Sequence, residues 1–195
     1  MTEPIRQITD AQTMRALAHP VRLALLEVLH RDGEVTATRA GEELGESPGN
    51  MSWHLQTLAK YGFVEEAGGG KGRSRPWRLV SQSNHFRTDI DEQDDPGTVA
   101  AGDALLTQVL ERGYRETRDW MASRNRFPHE WQHSAFLSNS LQYLTPEELS
   151  QISDEVTEIL SRYNDRSDKR KRPAGALPVR LTAQGHPLPP TAAGN

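Results

Sequence analysis

The sequence predicts an α+β chain that is mainly α, and three observations carry that reading. Apolar residues recur at three- and four-residue intervals over several segments, the pattern of helices buried on one side. Serine, threonine or proline opens most of these segments and glycine closes several of them, as the unpaired backbone groups of helix ends require. Between them, two short alternating runs flank a glycine-rich turn, which reads as a β-hairpin.

Taken in order, Pro20 opens a helix whose inner stripe is Val21, Ala24, Leu25, Val28 and Leu29, and Gly33 closes it. His19, before that proline, is expected to cap or pack. Thr36 begins a short helix with Ala37, Ala40 and Leu44 facing inward, ending at Gly45. The tight connection GESPGN leads to a further helix, with Ser47 as cap and Pro48 in its first turn. Met51, Leu55, Leu58 and Ala59 share its buried side. Asn50, Ser52, Trp53, His54, Gln56, Thr57 and Lys60 are assigned to the other, where they can hydrogen-bond or stack. Gly62 supplies the left-handed stop. Phe63 and Val64 start one strand, and Trp77 and Leu79 alternate with Arg78 in the next. The intervening GGGKGRSR carries Lys71, Arg73 and Arg75 without an acid. Two short helices joined by a tight turn, one donor-rich on its free side and followed by a cationic hairpin, suit a DNA major groove.

The runs MRALAHPVRLALLEVL and SPGNMSWHLQTLAKYGFV, with the basic hairpin and RPWRLV, resemble the ArsR-type winged helix–turn–helix regulators over about residues 9–82. The resemblance implies a homodimer that occupies operator DNA, usually as a repressor. It implies contacts to double-stranded DNA from Pro48, Gly49, Asn50, Ser52, Trp53, His54 and Thr57, and wing contacts from Arg73 and Arg75, to which Lys71 is added by its place in the turn. Two departures matter. Metal-sensing relatives carry a cysteine pair on the helix that here spans Thr36 to Leu44, and this chain has no cysteine. The helix after the wing, which bears acids and histidines in other sensors, contains no histidine between Thr98 and Arg124. A thiolate sensor is thereby ruled out, since soft-metal selectivity needs cysteine or a dense histidine set. No metal or other cofactor is expected.

Composition is consistent with this. The 195 residues suffice for one large or two small domains, and the absence of cysteine excludes a disulfide scaffold. No apolar run approaches a spanning helix and no signal-peptide core opens the chain, so a cytoplasmic location without membrane contact is expected. The net charge of −4 argues nothing for DNA binding, but its distribution does. Lys71, Arg73, Arg75 and Arg78 cluster, whereas Asp89, Asp91, Glu92, Asp94, Asp95 and Asp103 make an acidic stretch that reads as a linker.

Beyond it, Thr98 to Arg124 reads as a long connecting helix. Val99, Gly102, Leu106, Val109, Leu110, Gly113, Thr117 and Trp120 drift along one side. It either pairs with its mate in a symmetric dimer, through Leu106, Val109, Leu110, Gly113 and Trp120, or packs within its own subunit. Ser134 to Leu144 partly alternates and is read as a strand or strand pair. Thr145-Pro146-Glu147-Glu148 is a capping box launching a helix through Leu149, Ile152, Val156, Ile159, Leu160 and Tyr163. Residues 178–183 are read as a last strand. Trp131, Phe136 and Tyr143 are expected in the core of this part, or lining an effector pocket. The predicted organisation is therefore a winged helix–turn–helix domain over 1–82, an acidic linker over 83–97, a small α+β domain for dimerisation and any effector over 98–184, and a disordered tail over 185–195.

One motif competes. His129-Glu130-Trp131-Gln132-His133 matches H-E-x-x-H, in which two histidines a turn apart bind zinc and the glutamate activates water. Pro128 prevents that motif from lying inside a helix, its neighbours Arg124, Asn125, Arg126 and Ser134 are polar, and no third ligand follows on a matching helix unless Glu147 or Glu148 serves. No enzymatic role and no catalytic residue are therefore assigned. The expected function is a sequence-specific DNA-binding regulator, a homodimer answering to a small-molecule effector if to any. The alternatives are a zinc peptidase joined to the helix–turn–helix, or a winged helix that binds protein.

Overall fold

The computed structural model describes residues 6–8, 10–70, 74–80, 84–86 and 95–189. In chain order these form β1 (Arg6–Ile8), α1 (Ala11–Leu17), α2 (Pro20–Asp32), β2 (Val35–Thr36), α3 (Ala37–Leu44), α4 (Pro48–Lys60), β3 (Val64–Glu66), β4 (Pro76–Leu79), β5 (Asn84–Phe86), α5 (Pro96–Ser123), α6 (His129–Ser134) and α7 (Pro146–Ser161). The fold is α+β and mainly α, as the sequence predicts.

Local chemistry explains the helix ends. Asp10 accepts the Thr13 N–H at 2.8 Å, Thr36 that of Arg39 at 3.2 Å and Ser47 that of Asn50 at 3.1 Å. The His19 ring caps α2 by accepting from the Val21 N–H at 3.2 Å. Between α3 and α4, Gly45 takes the left-handed conformation (φ 69°), which ends α3 at once. Gly41 answers a different need. A Cβ there would stand 2.6 Å from the Glu46 carbonyl oxygen, so only glycine lets the turn fold back onto α3.

Strands β2, β4 and β3 form an antiparallel sheet in that order, with Val35 opposite Trp77 and Val64 opposite Leu79. This sheet and helices α1–α4 enclose a core of Leu17, Leu25, Leu29, Met51, Leu55, Leu58 and Val64. Two features depart from the predicted organisation. Residues 84–86, assigned to the linker, pair in parallel with β1. The start of α5 belongs to the same core, because Ala101 and Leu105 are buried against it.

An ionic lattice ties α5 and the C-terminal segment to α2. Glu27 receives both Arg112 and Arg180, which also bond Glu116 at 3.1 and 2.9 Å. Burial alone would raise the Glu27 carboxyl pKa, but the hydrogen bonds and charges of Arg112 and Arg180 hold it below the usual range. Arg172 donates to the Arg31 carbonyl at 3.0 Å, at the C-terminal end of α2 where cations are favoured.

The C-terminal region itself corrects the sequence reading. Of residues 134–144 and 178–183, read as strands, Ser134 ends α6 and the rest form no strand and pair with none among the described residues. A strand needs a partner edge, and neither segment finds one within the described residues. Phe136 and Tyr143, read as core or pocket lining, are exposed, and Trp131 is half-buried. Helix α7 forms with the expected capping box, Thr145 and Glu148 bonding each other's backbone N–H, yet buries no residue. Lys71, Arg73, residues 87–94 of the acidic stretch and the tail from 190 onward lie outside the described residues.

Substituting Gly41→Ala should cost about 1–3 kcal/mol, because the clash is with backbone and cannot be relieved by a rotamer change. Gly102→Ala, where the new Cβ would meet only Met14 Sδ at 3.7 Å, should be neutral or stabilising. Urea unfolding of both variants beside the unaltered chain checks the contrast.

Candidate nucleic-acid interface

Helix α4 exposes Pro48, Gly49, Trp53, Gln56 and Lys60 to solvent and Asn50, Ser52 and Thr57 in part. Its thirteen residues include no acid. Trp53 is 55 % exposed. Two of the polar groups have local partners. The Asn50 amide donates to Glu46 at 2.8 Å and the Thr57 hydroxyl to the Trp53 carbonyl at 2.9 Å, which leaves the Thr57 oxygen free to accept.

His54 does not belong to this face. It is only 2 % exposed, and the assignment of an outward role to it is corrected. The reason is helical phase. Residues 51, 54, 55 and 58 are spaced i, i+3, i+4 and i+7, so His54 lies in the same stripe as Met51, Leu55 and Leu58. That spacing was available in the sequence; the polarity of histidine outweighed it.

What His54 does inside is hold a cluster with Arg22, His19 and Trp53. The Arg22 guanidinium is buried, donating to the Ala16 carbonyl at 2.5 Å, to that of Arg15 at 3.5 Å and to His54 Nδ1 at 3.4 Å. It also lies 5.4 Å over the Trp53 ring. The His54 ring stands 4.7 Å from His19 and 4.7 Å, edge-on, from Trp53. Burial, then the charges of His19 and Arg22, lower the His54 pKa; burial and Arg22 lower that of His19. Both imidazoles are therefore neutral at pH 7, as the acceptor role of Nδ1 toward Arg22 requires. Arg22 lies within the run that carries the family resemblance but was not singled out, because a buried arginine is not signalled by hydrophobic spacing.

The wing also differs from its sequence reading. Arg75 bonds both carboxylate oxygens of Glu66, at 3.1 and 3.0 Å, and Arg78 bonds Glu65 at 2.8 Å. The cluster looked acid-free along the chain, but antiparallel pairing brings β3 alongside, with Glu65 opposite Arg78. All four side chains are about half exposed, so these pairs are readily exchanged. Between wing and helix runs an open groove of about 500 Å³, lined by Ala37, by Gly49, Ser52 and Gln56 of α4, and by Glu66, Arg75 and Trp77 of the wing. Gln56, which was not among the predicted contacts, thus faces the same space as Ser52 and Arg75.

Of the residues assigned to dimerisation, Val109 packs against the core, Gly113 has Thr182 beside it, and Leu106 and Trp120 are half-buried. Leu110 is exposed, together with Tyr114 and Met121 farther along α5. The rings of His129 and His133 lie 3.9 Å apart on the six-residue α6, both exposed. Among the described residues no three His, Asp or Glu side chains converge on a common point around them.

Residues 17–67 match a protein-family model described as a helix-turn-helix domain. No curated protein matches the chain. Among solved structures, the YusO protein from Bacillus subtilis is 13 % identical over 78 % of this chain and 80 % of its own, with a TM-score of 0.31, too low to carry an argument. Among the described residues, no helix is long and apolar enough to cross a membrane. The family match and the α3–turn–α4 geometry agree: this chain contains a helix–turn–helix domain, followed by a β-hairpin wing.

The depressed histidines set a pH dependence. In the unfolded chain both titrate near pH 6.5, whereas in the folded one they protonate only at lower pH. Their contribution to stability is therefore complete above pH 6.5 and is lost as pH falls through the lowered folded values. Thermal melts between pH 7.5 and 5 should show a decline that His54→Gln lessens.

Proposed function

We propose that this protein is a sequence-specific DNA-binding transcriptional regulator of ArsR type, acting in the cytoplasm as a homodimeric repressor. The observation that carries the reading is the outward side of α4, free of acids over its whole length and opening into the groove it shares with the wing. At the start of α4, where Pro48 has no N–H and that of Asn50 is taken by Ser47, the exposed Gly49 offers its N–H to a phosphate. Asn50, Ser52, Trp53, Gln56 and Thr57 then meet base edges, while Arg75, and with it Lys71 and Arg73 of the same sequence run, contacts the backbone. One such unit spans too few bases for a selective site, so two copies on a near-palindrome are needed. The outward side chains of α5, Leu110 foremost, support pairing of that helix with its mate. A small-molecule effector would act by favouring one dimer geometry over another.

A second reading starts from the paired wing. With Arg75 and Arg78 already neutralised by Glu66 and Glu65, the surface also suits a protein partner. Selection of duplexes from a random library separates the two. Enrichment of a near-palindromic site bound with steep salt dependence supports DNA reading; weak, salt-insensitive binding to every duplex refutes it.

Two outcomes are expected in anisotropy titrations on the selected site. Arg75→Ala should flatten the dependence of log affinity on log salt by about one unit per bound subunit. Glu66→Gln should instead tighten binding roughly two- to fivefold, because Arg75 no longer leaves a surface ion pair to reach phosphate.

A further inference from the structure

After Pro48, the exposed positions of α4 are Gly49, Trp53, Gln56 and Lys60, at steps of four, three and four residues, so they form one stripe along the helix. From Pro48 to Ala59 the helix holds no lysine or arginine, and Lys60 comes only at its last residue. Nothing inside the fold asks for glycine at 49, since a Cβ there would meet only Ser47 Oγ, at 4.0 Å. Its bare backbone suits the close approach of a duplex to the start of the stripe. Trp53 and Gln56, in the middle, are about 4.5 Å apart along the axis, against a rise of about 3.4 Å per base pair. A helix seated along the major groove brings them to the same base pair or to adjacent ones.

Base edges sort by what this stripe offers. Guanine shows two acceptors, which a cation satisfies best, and the stripe has no cation before Lys60. Adenine shows a donor beside an acceptor, and one carboxamide matches both. Of the two carboxamides on α4's outer side, Asn50 already donates to Glu46 at 2.8 Å and is partly buried. Gln56 is exposed and opens on the groove shared with the wing. Thymine adds a methyl group, which an apolar surface receives. Trp53 is the one large apolar side chain that α4 exposes. Cytosine in the same place would set an amino group against the indole ring with no acceptor. The ring is also held before any base arrives, by the Arg22 guanidinium 5.4 Å from its centroid and by the edge-on contact with His54.

We propose that Trp53 and Gln56 make this protein a reader of adenine–thymine pairs, Gln56 taking the adenine edge and Trp53 the thymine methyl group in each half-site. The inference rests on the DNA reading above and specifies which bases are read.

Duplex selection with the full chain, followed by anisotropy titrations, tests this. The enriched half-site should carry an adenine–thymine pair whose preference over guanine–cytosine falls about tenfold in Gln56→Ala, and Gln56→Lys should turn that preference toward guanine. Deoxyuridine in place of the thymine at that pair or the next removes one methyl group and should weaken binding about three- to fivefold. Trp53→Ala should bind the thymine and deoxyuridine duplexes alike. The deoxyuridine series on the unaltered protein decides the matter even where Trp53→Ala fails to fold. Guanine–cytosine at the pair that responds to Gln56→Ala, or no responding pair, overturns the proposal, as does a site that tolerates deoxyuridine at every thymine. Either result on an enriched site removes only the base assignment and leaves the DNA reading standing; a selection that enriches no site refutes the DNA reading itself.

Discussion

The placement of α4 depends on a buried guanidinium. Arg22 enters from the first turn of α2, takes the carbonyls left open at the end of α1, and reaches the His54 ring on the inner side of α4. Among the described residues no carboxylate lies within ion-pair distance of it, so its charge is offset by carbonyl dipoles and the face of Trp53. A buried ion without such partners costs several kcal/mol. The arrangement therefore holds only if three helices keep their relative positions. It also joins interior to surface, since Trp53 meets Arg22 and His54 and is still 55 % exposed. The orientation of the reading side is set from within.

Electrostatics on the outside is correspondingly restrained. The chain is net acidic, α4 contributes a single lysine at its end, and the described wing arginines each meet a glutamate across the hairpin. A surface of this kind gains little from non-specific attraction to phosphate, which scales with the cations released to the backbone. Discrimination must then come from short hydrogen-bonding side chains and from Trp53, where each well-made base contact is worth about 1–3 kcal/mol. The groove between α4 and the wing gives those side chains a common direction.

The molecule also has two unlike halves. Up to Leu105 the chain closes a core with inward faces on every helix. Past α6, amphipathic character persists, but α7 buries no residue fully. The ionic lattice around Glu27 holds the two halves together at one edge. It leaves most of the large apolar side chains from 136 to 188 exposed.

Much of this was readable along the chain because the cause is local. The starts of α2, α3, α4 and α7 follow from His19, Thr36, Ser47 and Thr145, and the ends of the first three from the glycines that follow them, since capping acts over three or four residues. The buried stripe of α4 follows from spacing. Tertiary structure decided what depends on partners distant in sequence. It set Arg22 against His54, and Glu65 and Glu66 against the wing arginines. It joined residues 84–86 to β1, and left 135–144 and 178–183 unpaired where alternation had suggested strands. A strand, an ion pair or a buried charge exists only when a second segment supplies the other half, and periodicity in one segment carries no information about that second one.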